Sequence, residues 1–415
     1  MVAAKQFLEE GSAKRNEDLI EFSKWLRRNG VDDSKVKLRA DGGHGMGNSL
    51  YARQMIKEDE LLFRIPLKIA FYSDAVRRHP TLGSVIKGAR IPQGMQGETF
   101  LLSLMLMYEA CQVGHMETGC KLSNETSFWL PYIKILPKTF SAPIFWNEVE
   151  RQELKGSQVM EMLNDDLAQA RREWEMMKIV VDKHPNVFCS SCFNFERYKW
   201  AAWNIHSRAL TLQGVKYLIP LADMVNYEPD DADVSRQDHQ DVFMKHHQVD
   251  RTKGHAEIFA DRKFVKDRMI VESYGDNANY MYLQFFGFIP DVNPTDCRHL
   301  QFSVDDLNVT QQEKQARSRL LQSRGLRTSF SSCIRLVSRL PPPLLHFLRS
   351  IHLHSHEEEQ ASRLQQGVVS TANEIAVYSF LKRKMRLLLS SFTESSTRDA
   401  TILKGLSARE TVEKH

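Results

Sequence analysis

Residues 217–227 read Tyr-Leu-Ile-Pro-Leu-Ala-Asp-Met-Val-Asn-Tyr, an apolar run that ends in two polar side chains and a tyrosine. A second apolar segment follows about fifty residues later and ends in Val-Glu-Ser-Tyr-Gly at 271–275. Asp and Asn are rarely placed in an apolar environment without a polar partner. The pair of segments therefore predicts a functional site, although Asp223 and Asn226 taken alone also fit a polar turn after a strand.

Composition places the chain among ordinary globular proteins. Its 415 residues are 42% hydrophobic and 26% charged, and this length is enough for two or three domains. The net charge of +4 does not imply nucleic acid as a partner. No apolar stretch is long enough to cross a membrane, and the charged amino terminus lacks the apolar core of a signal peptide. We therefore expect a protein of the cytosol or nucleus that makes no membrane contact.

The cysteines predict neither a disulfide framework nor a zinc site. Six cysteines in a chain of this length are too few for a disulfide-dense scaffold. Cys189 and Cys192 form a C-x-x-C, but no second pair stands at the spacing that a four-ligand zinc site needs. We predict free thiols and no metal.

Hydrophobic periodicity predicts strands, then helices, then strands again. An amino-terminal helix is expected over 15–29, and 61–66 read as a strand closed by proline. Helices are predicted over 99–113, 158–182 and 198–210, and short strands return between residues 214 and 290. This order favours an α+β protein in which a helical insert interrupts a β-rich fold.

The chain after about residue 296 has a different composition. Residues 313–340 carry seven basic side chains and one acid, and three prolines follow at 341–343. Residues 371–392 have helical spacing, with a capping box at Thr371 and Glu374. We predict an all-helical carboxyl-terminal domain. Its basic stretch fits a solvated helix, a surface for an acidic protein, or a nucleic-acid-binding module whose affinity would fall steeply with salt.

A glycine cluster, Asp41-Gly42-Gly43-His44-Gly45-Met46-Gly47, lies between two predicted strands. Exposed backbone amides in such a loop can hold a ligand, and a flexible connection is the alternative. No Lys-Ser or Lys-Thr follows the glycines, which argues against a nucleotide phosphate loop.

The order of these segments resembles the SET-domain protein methyltransferases whose SET domain is split by a large helical insert. That branch includes the Rubisco large-subunit lysine methyltransferases and the actin-histidine methyltransferases. The stretch 127–133, Ser-Phe-Trp-Leu-Pro-Tyr-Ile, fits both groups. The resemblance spans roughly residues 20–400 and implies S-adenosylmethionine as cofactor, a monomer, and a protein substrate docked on the carboxyl-terminal domain. It also implies these boundaries: an amino-terminal helical segment 1–34, a SET core 35–75 and 205–292, an insert 76–204 and a helical domain 296–415.

The same resemblance assigns the site residues. Tyr274 and Phe286 take the catalytic positions, where an aromatic, water-poor channel orients the attacking side chain. Arg208 would pair with the cofactor carboxylate. The residues that the resemblance places against the cofactor are Gly43, His44, Gly45, Arg208, Asp223, Asn226, Tyr227 and Phe286.

Three positions depart from the family pattern. Phe286 stands where lysine-modifying relatives usually have tyrosine, and Tyr227 replaces the histidine of an Asn-His motif. Leu210 stands where histidine-modifying relatives use a polar residue. The sequence therefore leaves lysine and histidine both open as targets, and a catalytically weak or inactive protein-binding module is the alternative. Tyr280 or Tyr282 is a candidate for a substitute hydroxyl.

Overall fold

The computed structural model describes residues 2–40, 47–113, 127–155, 157–228, 246–275, 277–291, 293, 295–323, 325–334, 344, 347–348 and 351. The chain forms two compact units. The first contains Met1–Phe145, Asn164–Asn277 and Met281–Phe288, and the second contains Trp146–Leu163, Ala278–Tyr280 and Ile289–His415. Across the described part of the chain, no helix is both long enough and apolar enough to span a membrane.

Within residues 36–272, a group of strands, a group of helices and a second group of strands follow one another in the order that the sequence predicts. The strands are β1 Val36–Arg39, β2 Ser49–Ala52, β3 Leu61–Pro66, β4 Leu210–Leu212, β5 Val215–Tyr217, β6 Asn226–Tyr227, β7 His247–Asp250, β8 His255–Phe259, β9 Met269–Glu272, β10 Arg298–Ser303 and β11 Ser329–Ile334. The α-helices are α1 Val2–Arg28, α2 Ser73–Arg78, α3 Leu82–Ile86, α4 Gly94–Val113, α5 Leu130–Ile135, α6 Glu148–Gln152, α7 Gln158–Lys183, α8 Phe195–Arg208, α9 Asn279–Met281 and α10 Gln311–Ser323. This mixed content confirms the α+β class.

Two small sheets bring distant parts of the sequence together in the first unit. One has the strand order β1-β2-β9-β6, and the other has the order β3-β8-β7. β6 and β9 pair in parallel, with Asn226 opposite Val271 and Tyr227 opposite Glu272. Two parallel neighbouring strands need a long crossover connection. The pairing therefore depends on the residues that connect β6 to β9 and not on the two strands alone. It sets the ends of the two segments quoted first side by side.

The amino-terminal helix forms because its apolar residues recur on one face. Leu19, Phe22, Trp25 and Leu26 are buried, as the periodicity predicts. Backbone bonds across Gly30, whose φ is +90°, end the helix. The Phe22 ring lies 5.9 Å from the ring of Tyr132 on α5, so α1 supports a tyrosine that belongs to the site described below.

The longer predicted elements are confirmed, with small changes at their ends. The helix expected over 99–113 begins at Gly94, and α7 matches the expected 158–182 to within one residue. The strand expected over 61–66 is β3. The helix expected over 198–210 is α8, which begins earlier because the side chain of Asn194 accepts a hydrogen bond from the Arg197 amide and caps it.

The second unit corrects the prediction of an all-helical carboxyl-terminal domain. β10 and β11 form a two-stranded antiparallel sheet, with Phe302 opposite Phe330. An apolar cluster that includes Phe302, Leu321 and Leu348 packs beside it. The prediction failed because it rested on the basic composition of 313–340, whereas these strands are defined by the pairing of two separate segments. The helix predicted over 371–392 lies outside the described residues.

One of the seven basic residues in 313–340 is structural. Arg317 is only 4% exposed; it donates to the backbone oxygen of Ile351 and pairs with Glu313 on the same helix. Lys314 donates to the backbone oxygen of Asp305. A buried, paired guanidinium contributes little to a surface that binds nucleic acid. These contacts therefore argue against the hypothesis that residues 313–340 bind nucleic acid.

The prediction of free thiols was wrong for the described cysteines. Cys111 is bonded to Cys192 in the first unit, and Cys297 is bonded to Cys333 in the second. Cys189 is also disulfide-bonded. The prediction failed because cysteine count and spacing do not reveal which residues the fold brings together; Cys111 and Cys192 are 81 residues apart, with Cα atoms 5.8 Å from each other.

Candidate active site

The two sequence segments meet at one point of the first unit. The Tyr274 hydroxyl lies just beyond β9 and donates to the backbone oxygen of Val225, 2.9 Å away and directly before β6. Burial raises the pKa of the Tyr274 phenol, and the nearby Glu272 carboxylate acts in the same direction. The hydroxyl therefore keeps its proton at neutral pH and remains a donor.

Asn226 is held between strands by its side chain. Its amide nitrogen donates to the Ser49 hydroxyl on β2 at 2.7 Å, and it lies 3.8 Å from the sulfur of Met269 on β9. Ser49 is fully buried. The side-chain amide therefore has a fixed orientation. A side chain that positions a ligand needs such an orientation.

Arg208 and Asp223 form a buried polar centre together with Tyr132. The Asp223 carboxylate is 1% exposed and pairs with Arg208 at 3.2 Å; the Arg208 guanidinium also donates to the Asp223 backbone oxygen at 2.9 Å. The Tyr132 hydroxyl donates to the same carboxylate at 2.8 Å. Burial raises the pKa of Asp223, while Arg208 and Tyr132 oppose that shift.

Two atoms of this centre have no partner among the described residues. They are Nε of Arg208 and Oδ1 of Asp223, and both are inaccessible to solvent. A buried donor or acceptor without a partner costs about 1–3 kcal/mol. A buried donor and a buried acceptor left unsatisfied in the same ion pair fit a ligand that carries both a negative and a positive group.

The Tyr132 hydroxyl offers a direct test of this centre. We expect Tyr132→Phe to lower the free energy of unfolding by about 1–2 kcal/mol, because a buried carboxylate loses one of its donors. Urea denaturation measures the change. Tyr108→Phe is the control, since that hydroxyl makes a long 3.4 Å bond to Thr81 in a partly exposed position. Equal losses in the two variants would contradict the role given to Tyr132.

Five aromatic rings pack against one another beside Asn226, and we call them the aromatic cluster. Tyr274 lies 4.9 Å from Phe286, measured between ring centroids. Tyr227 lies 5.4 Å from Tyr274 and 4.9 Å from Tyr282. Phe288 lies 5.4 Å from both Tyr227 and Tyr282. Tyr282 is buried, whereas the other four residues are partly exposed.

A π-helical turn, Tyr282–Phe286, carries two rings of this cluster. Its Gln284 side chain donates to Asp166 on α7, and its Gln284 backbone oxygen accepts from the Trp203 indole on α8 at 3.2 Å. The turn ends at Gly287, where φ is +78°. π-Helical turns are rare and are frequent at functional sites.

Of the two tyrosines considered as substitutes for a missing hydroxyl, Tyr282 lies in the aromatic cluster. Its hydroxyl donates to the backbone oxygen of Gly275 at 3.0 Å. Tyr280 belongs to the second unit. The prediction of short strands up to residue 290 was wrong for this segment, because residues 279–286 are helical.

The structure thus brings together Arg208, Asp223, Asn226, Tyr227, Tyr274 and Phe286. Gly43, His44 and Gly45 lie outside the described residues. Sequence reasoning missed Tyr132 and Ser49 as supports of the site. Tyr132 had a signal, since it stands in the 127–133 motif, whereas Ser49 had none because its partner is 177 residues away.

The chain is similar to several known proteins. Residues 309–414 match the Rubisco LSMT substrate-binding family. The actin-histidine N-methyltransferase of Gallus gallus is 25% identical over 418 residues, which cover 94% of this chain and 64% of that protein. The Mus musculus protein of the same name is 24% identical and is covered to 66%. The chain therefore spans about two thirds, or slightly less, of the length of these relatives.

Solved structures match in fold. The SET domain of LSMT bound to lysine and AdoHcy superimposes with a TM-score of 0.71 at 20% identity, covering 91% of this chain and 82% of that one. Rubisco LSMT bound to sinefungin and monomethyllysine matches with a TM-score of 0.65, also at 20% identity, covering 87% and 75%. The chain therefore shares the fold of the LSMT SET-domain structure, carries a segment that matches the Rubisco LSMT substrate-binding family, and is similar in sequence to the actin-histidine N-methyltransferases.

Proposed function

We propose that the protein is an S-adenosylmethionine-dependent protein N-methyltransferase that modifies a lysine or histidine side chain. The observation that carries the proposal is the aromatic cluster, which is built beside Asn226 by the parallel pairing of β6 and β9. Related structures of this fold are solved with AdoMet and with lysine and AdoHcy. A sequence identity of 20% supports a shared fold only, so the proposed chemistry rests on the residues of this chain.

The residues present fit the amino-acid end of S-adenosylmethionine. That end carries a carboxylate and an ammonium group. Nε of Arg208 is a buried donor and Oδ1 of Asp223 a buried acceptor, both unsatisfied within the described residues. We propose that Arg208, Asp223 and Asn226 hold this end of the cofactor, and that Gly43, His44 and Gly45 contribute from their loop.

The aromatic cluster suits the transfer step. When bound, S-adenosylmethionine supplies a methyl group on a positively charged sulfur. Ring faces stabilise a nearby cation and exclude water. The hydroxyl protons of Tyr274 and Tyr282 point to backbone oxygens, so lone pairs of the phenol oxygens remain as acceptors for weak C–H bonds. Tyr274 and Phe286 would orient the attacking nitrogen.

Phe286 has no hydroxyl, and this affects whether lysine or histidine is the favoured target. A lysine has a reference pKa near 10.4, so presenting its neutral amine at pH 7 costs roughly 4–5 kcal/mol. A histidine is largely neutral at that pH and already has a lone pair. Leu210, however, places an apolar side chain at the first position of β4, where it offers no hydrogen bond to an imidazole. Lysine and histidine therefore both remain in the proposal.

We propose that the protein substrate docks on the carboxyl-terminal domain, 296–415. The match of residues 309–414 to a substrate-binding family supports this role. The SET core would then comprise 35–75 and 205–292, with 76–204 as the insert.

Incubation of cell lysate with the pure protein and methyl-labelled cofactor, followed by mass spectrometry, tests the activity. Label on lysine or histidine of any protein supports the proposal and identifies the target. Phe286 and Tyr227 motivate the alternative of an inactive protein-binding module. Cofactor binding without any labelling would favour that alternative, and failure to bind the cofactor would overturn both.

Restoring a hydroxyl at position 286 should change the target preference. We expect Phe286→Tyr to raise the ratio of methyl-lysine to methyl-histidine about tenfold on matched peptides, because a phenol beside Tyr274 can accept a hydrogen bond from an amine. Mass spectrometry of the products measures the ratio. Phe285→Tyr, one residue earlier and outside the aromatic cluster, is the control. An unchanged ratio in Phe286→Tyr would count against the proposed channel.

A further inference from the structure

A second concave site lies in the first unit and shares no residue with the candidate active site. It is a cavity of about 540 Å³, within the size range of small-molecule sites. Its wall carries Lys68, Arg78 and Arg251 against one acid, Asp74, and its aromatic lining comes from Tyr72 and Trp129.

The two arginines of this cavity are held by tyrosines instead of carboxylates. Arg78 donates to the Tyr72 hydroxyl, and Arg251 donates to the Tyr217 hydroxyl at 2.9 Å. The Tyr72 and Tyr217 rings stack with centroids 5.4 Å apart. Each guanidinium has five N–H donors and uses one here on a neutral acceptor. The geometry therefore fixes both arginines while leaving their charge and most of their donors available.

Basic side chains outnumber acidic ones in the described lining of the cavity, where Asp74 stands against Lys68, Arg78 and Arg251. Arg78, Arg251 and Lys68 form no ion pair with any described carboxylate. Arg64, by contrast, pairs with Glu257 at 2.6 Å on the neighbouring strands β3 and β8. Two oriented guanidinium groups and a lysine are the chemistry that proteins use for phosphate.

Most of the rest of the lining is apolar or aromatic. Tyr72 is 7% exposed, Leu67 is 5% exposed and Met105 is 1% exposed. The Trp129 indole donates to the backbone oxygen of Ile69 at 3.0 Å, which fixes the plane of its ring. A rigid aromatic surface beside a cationic wall matches a ligand that joins a ring to an anion.

We propose that this cavity binds a phosphate monoester in a molecule that also carries a planar ring. Free nucleotides, whose phosphate is on the ribose, and phosphotyrosine side chains both have this combination. The site is independent of methyl transfer, because none of its lining residues takes part in the aromatic cluster or the Arg208–Asp223 pair.

The proposal is tested by calorimetric titration of the full chain. Four compounds are titrated separately: uridine 5′-monophosphate, uridine, free phosphotyrosine and inorganic phosphate. We expect binding of at least one of the two phosphate monoesters and none of uridine. Arg78→Gln and Arg251→Gln should each weaken that binding about tenfold or more, since each removes charged hydrogen bonds. Arg64→Gln is the matched control and should leave binding unchanged. A saturating amount of S-adenosylhomocysteine should not displace the ligand.

Lys68→Gln keeps the test decisive if an arginine variant fails to fold. Lys68 is exposed and makes no hydrogen bond within the described residues, so its loss leaves the fold intact, and we expect weaker binding by a factor of several. Binding of phosphotyrosine alone would assign the site to a modified protein, and binding of the nucleotide alone would assign it to a free metabolite. Binding of inorganic phosphate only, or equal affinity in every variant, would overturn the proposal.

Discussion

Asn226→Ala is expected to lower the affinity for S-adenosylmethionine at least about 100-fold. The amide of Asn226 is oriented by Ser49 and lies on the strand whose preceding residue accepts the Tyr274 hydroxyl. A charge-assisted hydrogen bond contributes about 1.5–3 kcal/mol. Loss of the hydrogen bond between Asn226 and Ser49 adds to this effect. Isothermal titration calorimetry with the cofactor measures the change.

Asn29→Ala is the control for this experiment. The Asn29 side chain donates to the Trp25 backbone oxygen at the end of α1 and belongs to no part of the site. It should lose a few tenths of a kcal/mol to about 1 kcal/mol of stability and retain cofactor affinity. If Asn226→Ala keeps its circular dichroism spectrum and binds the cofactor as tightly as the unaltered chain, the assignment of Asn226 is wrong.

Gly287→Ala should destabilise the first unit by about 2–5 kcal/mol. A Cβ at this position would lie 2.9 Å from backbone atoms of Ser141 and Ala142, and φ is +78°. The left-handed conformation costs a non-glycine residue about 1–2 kcal/mol, and overpacking against backbone adds about 1–3 kcal/mol. Because Gly287 stands between Phe286 and Phe288, relief of the clash would also move two rings of the aromatic cluster. Urea denaturation measures the stability.

Gly214→Ala separates the two contributions. Gly214 also has a positive φ, of +75°, but a Cβ there would meet nothing within 4 Å. We expect this variant to lose only about 1–2 kcal/mol, the cost of the conformation alone. A Gly287→Ala variant that is no less stable than Gly214→Ala would refute the close approach of residues 141–142.

Several elements were predictable because their causes are local. The buried face of α1 follows from the spacing of Leu19, Phe22, Trp25 and Leu26. The end of β3 follows from Pro66, which cannot donate to a sheet ladder. The importance of Asp223 and Asn226 was visible because polar side chains at the end of an apolar run need partners.

Other features depended on which residues the fold brings together. Periodicity cannot reveal that Cys111 faces Cys192, that Ser49 holds Asn226, or that Tyr217 holds Arg251, because each pair joins separate stretches of chain. The helical form of Tyr282–Phe286 was hidden as well, since a short apolar run fits a strand or a helix equally.

By itself, the sequence determined the α+β class, the main helices, the order of the elements and most of the residues that converge at the site. Only the tertiary structure decided how Arg208 is paired, which tyrosine joins the aromatic cluster and where the cationic cavity forms. The physical reason is that propensity and periodicity act over a few neighbouring residues, whereas a site is made by pairings such as β6 with β9. Those pairings are selected by the free energy of the whole packed unit.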